Sequence, residues 1–355
     1  MSEPAGSRPG VLERWEHVLP LTSDTPRFSL GEGDTPLIRS RWLARECGLD
    51  ELWFKLEAAN PTGSFKDRGM VVAVAKAIEE GSSAVMCAST GNTSASAAAY
   101  AAYCSLESIV LVPGGRVAAG KLAQAIAYGS QIVEVAGNFD AALATARDLT
   151  DRFPVTLVNS VNPHRIEGQK TAAFEICETL GNAPDIVALP VGNAGNITAY
   201  WKGFCECAEL DYATKHPRML GFQAAGAAPI VRGRPVEDPQ TIATAIRIGN
   251  PASWQGATRA RDESHGRIEA VTDDEIIAAY QLLARHEGLF VEPASAAGVA
   301  GLLKMRREGR PVGGVAVSIL TGSGLKDPDS AMSTYTPNVR KSEPGLESVL
   351  RTLGW

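Results

Sequence analysis

The sequence has few cysteines, no long apolar segment and no excess of basic residues. Six cysteines occur in 355 residues, and Cys205 and Cys207, which stand one residue apart, have no second pair of Cys or His near them. The spacing therefore gives no zinc pattern. It indicates a reducing compartment, with cysteines used as small core side chains and not as a disulfide framework.

The same absences narrow the location and the partners. No uncharged apolar stretch reaches the roughly 18 residues that cross a bilayer, and the first residues, MSEPAGSRPGVLERW, lack the apolar core of a signal peptide. The net charge of −6 gives no reason to expect nucleic acid or an anionic membrane as a partner, although a pocket on an acidic protein can still bind an anion. We expect a cytoplasmic protein without a metal site.

Short apolar runs alternate with helical patterns along most of the chain. The expected strands lie at 84–89, 108–113, 131–137, 155–159, 186–191, 218–225 and 312–321. This alternation predicts an α/β protein with largely parallel sheets covered by helices, and the number of strands favours two doubly wound domains over one. We expect residues 1–60 and 155–355 to form a larger domain and residues 61–154 a smaller one.

Two segments interrupt the alternation. Residues 229–267 are rich in glycine, proline and charge, which predicts an irregular surface segment and a candidate flap over a site. The chain from residue 334 onward is expected to be a tail packed on the body, closing with the amphipathic LESVLRTLGW.

One lysine stands in an unusual local sequence, NPTGSFKDRG (60–69). Pro61 and Gly63 are turn residues, and the run MVVAVAKAIEE that follows predicts a helix, so Lys66 lies at a loop-to-helix junction. The positive potential of a helix N-terminus favours a neutral amine, which is a nucleophile. From the local sequence alone, a capping or snorkelling lysine is the alternative.

Ligands of doubly wound sheets bind at the carboxyl ends of strands, and four such ends are unusual here. STGNTSAS (89–96) and VGNAGN (191–196) each bring small residues and backbone N–H groups to a helix start, which suits a carboxylate or phosphate. NSVNPHRIEGQ, which follows the strand at 155–159, adds Arg165, whose guanidinium can bind a phosphate with two hydrogen bonds. LTGSGLKD (320–327) puts the Thr321 hydroxyl before a tight turn. Taken singly, these features also fit ordinary helix caps, turns and a surface arginine.

A lysine, two anion-binding turns and a hydroxyl form the set that pyridoxal phosphate requires: an amine for a Schiff base, a phosphate site and a partner for the ring nitrogen. A nicotinamide cofactor needs no lysine, and ATP favours a Walker sequence. The chain resembles the threonine synthases of the shorter bacterial type, which are fold type II pyridoxal-phosphate enzymes similar to the tryptophan synthase β-subunit. The resemblance covers nearly the whole chain and rests on EGDTPLIRS, NPTGSFKDRG, STGNTSAS, NSVNPHRIEGQKTAAFE, GNAGN and LTGSGLKDP.

The resemblance implies roles for individual residues. Lys66 is the catalytic residue and carries the cofactor, while Asn92 approaches the cofactor's 3-hydroxyl and Thr321 its ring nitrogen. The cofactor phosphate is bound by Gly192, Asn193, Ala194, Gly195 and Asn196. The substrate carboxylate is bordered by Ser89, Thr90 and Asn92, and the substrate phosphate is bound by Thr93, Asn159, Ser160 and Arg165. Ser323 stands where the family pattern predicts His or Asn, which leaves specificity at that position open.

The implied reaction is the last step of threonine biosynthesis, in which a homodimeric enzyme converts O-phospho-L-homoserine and water to L-threonine and phosphate. It proceeds by γ-elimination and β-addition. Two alternatives stay open from the sequence. One is another elimination enzyme of this fold, such as a threonine or serine dehydratase. The other is a non-catalytic regulator that binds pyridoxal phosphate.

Overall fold

The computed structural model describes residues 9–114, 119–137, 139–310, 312–336 and 338–355. Within these residues the chain forms two sheets with helices on their faces. The strands are β1 (Leu37–Arg39), β2 (Glu51–Leu56), β3 (Ala84–Ala88), β4 (Glu107–Pro113), β5 (Gln131–Val135), β6 (Val155–Leu157), β7 (Ile186–Pro190), β8 (Arg218–Ala224), β9 (Arg267–Val271) and β10 (Val315–Leu320).

The helices cover the faces of both sheets. In chain order they are α1 (Val11–Arg14), α2 (Leu43–Cys47), α3 (Lys66–Glu79), α4 (Asn92–Tyr103), α5 (Ala119–Ala127), α6 (Phe139–Thr150), α7 (Pro163–Leu180), α8 (Gly195–Glu209), α9 (Pro229–Arg232), α10 (Trp254–Glu263), α11 (Asp273–Leu282), α12 (Ala297–Arg307), α13 (Pro328–Thr334) and α14 (Leu346–Leu353).

The larger sheet has the strand order β1-β2-β10-β7-β8-β9. Only β1 runs antiparallel to its neighbour, and every other pair in this sheet is parallel. The carboxyl ends of β2, β10 and β7 therefore open on one edge, where a doubly wound sheet binds its ligands. The predicted α/β class with largely parallel sheets is confirmed.

The smaller sheet is parallel throughout and has the order β5-β4-β3-β6. β6 pairs with β3 through Ala84↔Val155 and Met86↔Leu157. The segment at 155–157, which the sequence assigned to the larger domain, thus belongs to the smaller sheet. It forms the edge strand of this sheet next to β3. The domain division stays a prediction, and this pairing moves its upper boundary beyond residue 157.

Residues 229–267 are irregular at 233–243 and 247–253, as their composition predicted, but helices stand on both sides of these stretches. They include α9, a 3₁₀ turn at Thr244–Ile246 and α10, and they end at the first residue of β9. Ala243, Ala257 and Ala260 are fully buried. Small apolar residues scattered among glycine and charge are enough to pack this segment into the core.

The carboxyl-terminal tail packs on the body at its start, where the Tyr335 ring contacts that of Tyr280, and it ends in the helix that its amphipathic pattern suggests. α14 has no buried residue. Leu346 and Trp355 are 73% and 86% exposed, so the apolar face of this helix lies in solvent in the single chain.

Two glycines let α3 and α7 pack backbone against backbone. A Cβ on Gly168 would lie 2.0 Å from the carbonyl oxygen of Arg68, and a Cβ on Gly69 would lie 2.5 Å from the carbonyl oxygen of Arg165. No side chain fits at either distance. The first turns of the two helices can therefore approach this closely because neither glycine has a side chain.

A cluster of buried charges joins the same two helices to β2. The Arg68 guanidinium donates to both oxygens of Glu57 and of Glu175 at 2.6–2.8 Å. Lys55 on β2 donates to Glu175 at 2.7 Å. Burial alone would raise the pKa of Glu175, but the charges of Arg68 and Lys55 outweigh it and hold this pKa well below its usual range. The cluster thus depends on each partner, because removal of one leaves a buried charge uncompensated.

We predict that Glu175→Gln lowers the free energy of unfolding by about 3–5 kcal/mol, because Arg68 and Lys55 keep buried positive charge with one carboxylate fewer. The matched control is Glu178→Gln on the same helix. Its carboxylate pairs with Arg14 near the surface, and such pairs contribute about 1 kcal/mol or less. Urea unfolding of both variants at neutral pH measures the difference.

The contribution of Glu175 also has a defined pH dependence. Its folded-state pKa lies below the ordinary value of 4.5, so the stabilisation is present above that value and is lost as the pH falls below it. The gap between the parent and Glu175→Gln should shrink in acid. Equal stability of the parent and this variant at neutral pH would contradict the account of the cluster.

Candidate active site

The loop before Lys66 is hydrogen-bonded to the end of β10. The Phe65 N–H donates to the carbonyl of Thr321 at 3.0 Å, and the Ser323 N–H donates to the carbonyl of Gly63 at 2.9 Å. Gly63 has a φ of +83°, which glycine tolerates best. Lys66 follows as the first residue of α3. The predicted loop-to-helix junction is confirmed, and the backbone pairing brings it to the strand end that carries Thr321.

Asp67 fixes this loop from the other side. It is fully buried, and it accepts hydrogen bonds at 2.7 Å from both the N–H and the hydroxyl of Thr62. It also accepts one from the Ser96 hydroxyl on α4 at 2.6 Å. The lysine loop is thereby tied to the helix that starts at Asn92.

The Lys66 amine is poised to be neutral near physiological pH. Burial lowers its pKa to about 7, the positive charge of Arg165 acts in the same direction, and the negative charge of Glu292 opposes both. The Nζ atom lies 4.5 Å from the centroid of the Phe65 ring. A neutral amine in this position is both a nucleophile and a proton acceptor.

The turn after β3 presents half-buried side chains at the start of α4. These are Ser89, Thr90 and Asn92, with Thr93 buried on the first turn of the helix. Asn92 donates from Nδ2 to the two carboxylate oxygens of Glu292 at 3.1 and 3.3 Å. The turn therefore faces the lysine loop across a buried carboxylate.

Asn159 and Ser160, which are expected at the substrate phosphate, have other contacts in the structure. Asn159 exchanges two hydrogen bonds of 2.9 Å with the backbone of Ala88, so its side chain holds the ends of β3 and β6 together directly before Ser89. Ser160 lies beside the turn after β7, because its Cβ is 4.0 Å from the position that a Cβ on Gly195 would occupy. Their contact with a ligand stays a prediction.

Arg165 is completely buried and only partly satisfied. Its Nη1 donates to the carbonyl of Val158 at 2.7 Å, whereas its Nε and Nη2 have no partner among the described residues. Burial lowers the pKa of this guanidinium to about 10. Buried donors without partners are costly and rare. An anion placed against Nε and Nη2 would satisfy both the charge and the hydrogen bonds.

The turn after β7 is the second candidate anion-binding turn. Ala194 has a left-handed φ of +65° and precedes the first residue of α8, so the N–H groups of that helix start are left without intrahelical partners. Asn196 is buried, and both polar atoms of its side chain lack partners in the described part of the chain. This is the feature expected of a phosphate cradle.

The segment at residues 229–267, which the sequence predicts as a candidate flap, packs on the turn after β7. Asn193 accepts a hydrogen bond of 2.6 Å from the N–H of Ala252. A Cβ on Gly192 would lie 3.0 Å from the Cα of Ile246. A side chain at 192 would therefore crowd Ile246 even when no ligand is bound.

Thr321 is buried at the end of β10 with two side-chain partners. Its hydroxyl lies 2.9 Å from that of Ser295 and donates to Glu292 at 3.3 Å. Ser323, which departs from the family pattern, accepts a hydrogen bond of 3.3 Å from the N–H of Leu325 and caps the 3₁₀ turn Gly324–Lys326. Its side chain thus has a local structural role.

Glu292 and Lys326 belong to the site, and sequence reasoning missed both. Glu292 stands alone as a carboxylate in the apolar run FVEPASAA, and that isolation was the available signal. Lys326 donates to the carbonyl of Thr62 at 2.9 Å and to the side chain of Gln124 on α5. In the sequence, the glycines before Lys326 indicate a turn, and nothing beside the lysine indicates a buried contact.

We predict that acylation of Lys66 by acetic anhydride follows an apparent pKa of about 7, against about 10.4 for an ordinary lysine. Arg165→Leu should raise this value, because a positive neighbour is lost, and Glu292→Gln should lower it. Peptide mass mapping across a pH series, after hydroxylamine has removed bound carbonyl compounds, gives the value. An ordinary pKa in the parent, or shifts of the same sign in both variants, would count against this electrostatic account.

Comparison with known proteins identifies the family. The family model described as pyridoxal-phosphate dependent enzyme matches residues 28–322. The threonine synthase of Halalkalibacterium halodurans is 59% identical over 330 residues, which cover 93% of each chain. The threonine synthase of Mycobacterium tuberculosis is 57% identical over 348 residues, which cover 98% of this chain and 96% of the other.

Solved structures show the same fold. Maize serine racemase superposes with a TM-score of 0.71 at 21% identity and covers 85% of this chain and 91% of its own. That similarity confirms the predicted fold type II architecture and says nothing further about the reaction. The chain belongs to the pyridoxal-phosphate dependent enzymes and, within them, to the threonine synthases.

Proposed function

We propose that this chain uses pyridoxal 5'-phosphate to convert O-phospho-L-homoserine and water to L-threonine and phosphate, the last step of threonine biosynthesis. The observation that carries the proposal is a buried, partly unpartnered guanidinium beside a lysine with a pKa of about 7. This pair occurs in a chain 57–59% identical to two proteins named threonine synthase. Arg165 and Lys66 match the two halves of such a substrate, a phosphate and an amino acid.

The residues present fit the cofactor. The buried and unpartnered amide of Asn196 and the exposed N–H groups at the start of α8 supply donors for its phosphate. Gly192, Asn193, Ala194 and Gly195 would surround the same phosphate, Asn92 and Thr321 would contact the ring, and Lys66 would hold the cofactor covalently. When bound, pyridoxal phosphate supplies a conjugated ring that delocalises the electron pair left on a substrate carbon.

Lys66 is the proton carrier in this account. As a neutral amine it can accept the proton from the substrate α-carbon and then one from the β-carbon, and a proton is returned at the γ-carbon, which becomes the methyl group of threonine. Its lowered pKa matters because an amine of ordinary pKa would be almost entirely protonated at pH 7. Arg165 lowers this pKa, so the residue that binds the substrate phosphate also prepares the base.

Arg165 also binds the leaving group. Its Nε and Nη2 are free to donate to phosphate oxygens in a setting that excludes water, where a charge-assisted pair is strong. The γ-carbon–oxygen bond breaks with its electron pair on the phosphate, and water then adds at the β-carbon. Thr93, Asn159 and Ser160 would complete the phosphate site, and Ser89, Thr90 and Asn92 the carboxylate site.

The structure bears on both alternatives. A dehydratase of the same fold acts on a substrate without a phosphate and has no use for a buried unpartnered guanidinium beside the lysine, so Arg165 favours the phosphorylated substrate. A non-catalytic regulator needs no amine tuned to a pKa of about 7. The observation thus supports an enzyme.

The location and the assembly of the protein are also part of the proposal. In the part of the chain that the structure describes, no helix is long and apolar enough to cross a membrane. We propose a cytoplasmic homodimer that binds neither nucleic acid nor membrane, supported by the cysteine usage and the net charge of −6.

We predict that Arg165→Leu keeps the visible absorption of the bound cofactor and lowers kcat/KM for O-phospho-L-homoserine by about 30- to 5,000-fold. This range corresponds to about 2–5 kcal/mol for the loss of a desolvated charge pair. Arg165→Lys should recover only part of the activity, because an ammonium lacks the planar pair of donors. Absorption and steady-state phosphate release from one preparation measure both quantities.

Two further variants serve as controls for this prediction. Arg45→Leu removes an exposed arginine that pairs with Glu46 at the surface and should behave as the parent. Lys66→Ala should lose the cofactor band and turnover together. An Arg165→Leu variant with normal absorption and undiminished kcat/KM would remove Arg165 from the substrate site.

A further inference from the structure

Glu292 lies at the point where three backbone segments meet. Its N–H donates to the carbonyl of Gly322 at 2.9 Å, and Val291 and Ser323 form the adjacent bridge. Gly322 is paired in turn with Ser64 of the lysine loop. Glu292 is 5% exposed. Backbone hydrogen bonds, and not the flexibility of a long side chain, therefore determine where its carboxylate can reach.

The carboxylate joins the start of α4, which follows a strand of the smaller sheet, to the end of β10 in the larger sheet. It accepts hydrogen bonds from Asn92 at the start of α4, at 3.1 and 3.3 Å, and from the Thr321 hydroxyl at the end of β10, at 3.3 Å. A Cβ on Gly322 would come within 2.5 Å of one of its oxygens, so the turn gives up a side chain to make room for it. Asn92 and Thr321 are the two side chains assigned above to the cofactor ring.

The surroundings of Glu292 consist of neutral donors and two cations. Asn92 and Thr321 contact it directly, and the charges that face it are Lys66 on α3 and Lys326 on the 3₁₀ turn after β10. Burial raises the pKa of Glu292, and the hydrogen bonds and both lysines oppose that shift. An ionised carboxylate can only accept hydrogen bonds, and the Thr321 hydroxyl has a single hydrogen. When Thr321 donates this hydrogen to Glu292, the lone pairs of its oxygen are left to face the ring nitrogen.

We propose that Glu292 is a positioning residue, which orients Asn92 and Thr321 toward the cofactor ring by accepting a hydrogen bond from each. The inference rests on the proposed function, since it takes the cofactor and the roles of these two residues from it. It adds a residue that acts through others and explains why a carboxylate is buried between two sheets at this edge.

The test uses the holoenzyme and four variants: Glu292→Ala, Glu292→Gln, Asn92→Ala and the double variant Asn92→Ala/Glu292→Ala. The affinity for pyridoxal phosphate is measured by titration, and the absorption maximum of the bound cofactor is followed across a pH series. Glu292→Ala should weaken binding by about tenfold, since the half-buried Asn92 and the buried Thr321 lose their acceptor. Glu292→Gln retains an acceptor oxygen and should recover affinity to within about threefold.

The double variant separates positioning from general loss of structure. If Glu292 acts through Asn92, the loss in the double variant should be smaller than the product of the two single losses, because the coupled pair is removed once. Glu287→Ala is the matched control. It removes a carboxylate that accepts from Ser40 and the start of α2, so it should lower thermal stability without changing cofactor affinity or the absorption profile.

Parent-like affinity in Glu292→Ala, or multiplicative losses in the double variant, would overturn the proposal. Failure of Glu292→Gln to recover affinity would do the same, and this holds even if the alanine variant does not fold. A parent protein that takes up no pyridoxal phosphate at all would instead refute the proposed function.

Discussion

The backbone contact between α3 and α7 determines most of the geometry of the site. Gly69 and Gly168 allow the two helices to meet without side chains between them, and the Arg68–Glu57–Glu175 cluster holds them in that contact. Lys66 lies three residues before Gly69, and Arg165 lies three residues before Gly168. The same contact thus sets the Arg165 guanidinium close enough to the Lys66 amine to lower its pKa. The cluster stabilises the fold and, through this spacing, the chemistry.

The end of β10 supplies the second half of the site. Its turn pairs with the lysine loop on one side and with the segment of Glu292 on the other. The site combines three basic groups, Lys66, Arg165 and Lys326, with the starts of α3, α4 and α8, whereas Glu292 and Asp67 are the only carboxylates among the site residues named above. Such a distribution suits a cofactor and a substrate that both carry phosphate. It also explains how an acidic protein can bind anionic ligands.

Local patterns predicted the elements whose signals are local. α7 spans Pro163–Leu180, and its limits follow from adjacent residues, because Asn162 accepts from the His164 N–H at its start and Gly181 ends it in a left-handed conformation. β2 escaped prediction, since the burial of Lys55 in it depends on the Thr35 carbonyl and on Glu175, 20 and 120 residues away. Glu292 escaped for the same reason, as its partner Asn92 is 200 residues away. For Glu292 the neighbouring sequence shows an isolated carboxylate in an apolar run, whereas the partner that explains its burial lies far away along the chain.

The most direct test of the account asks which bond of the substrate breaks. The purified protein would be incubated with O-phospho-L-homoserine in heavy-oxygen water, and both products would be analysed by mass spectrometry. Elimination followed by addition of water predicts threonine with the heavy oxygen in its hydroxyl group and phosphate without it. Labelled phosphate with homoserine as the other product would mean simple ester hydrolysis, and 2-oxobutyrate in place of threonine would mean elimination without addition of water. Either result would contradict the function proposed here.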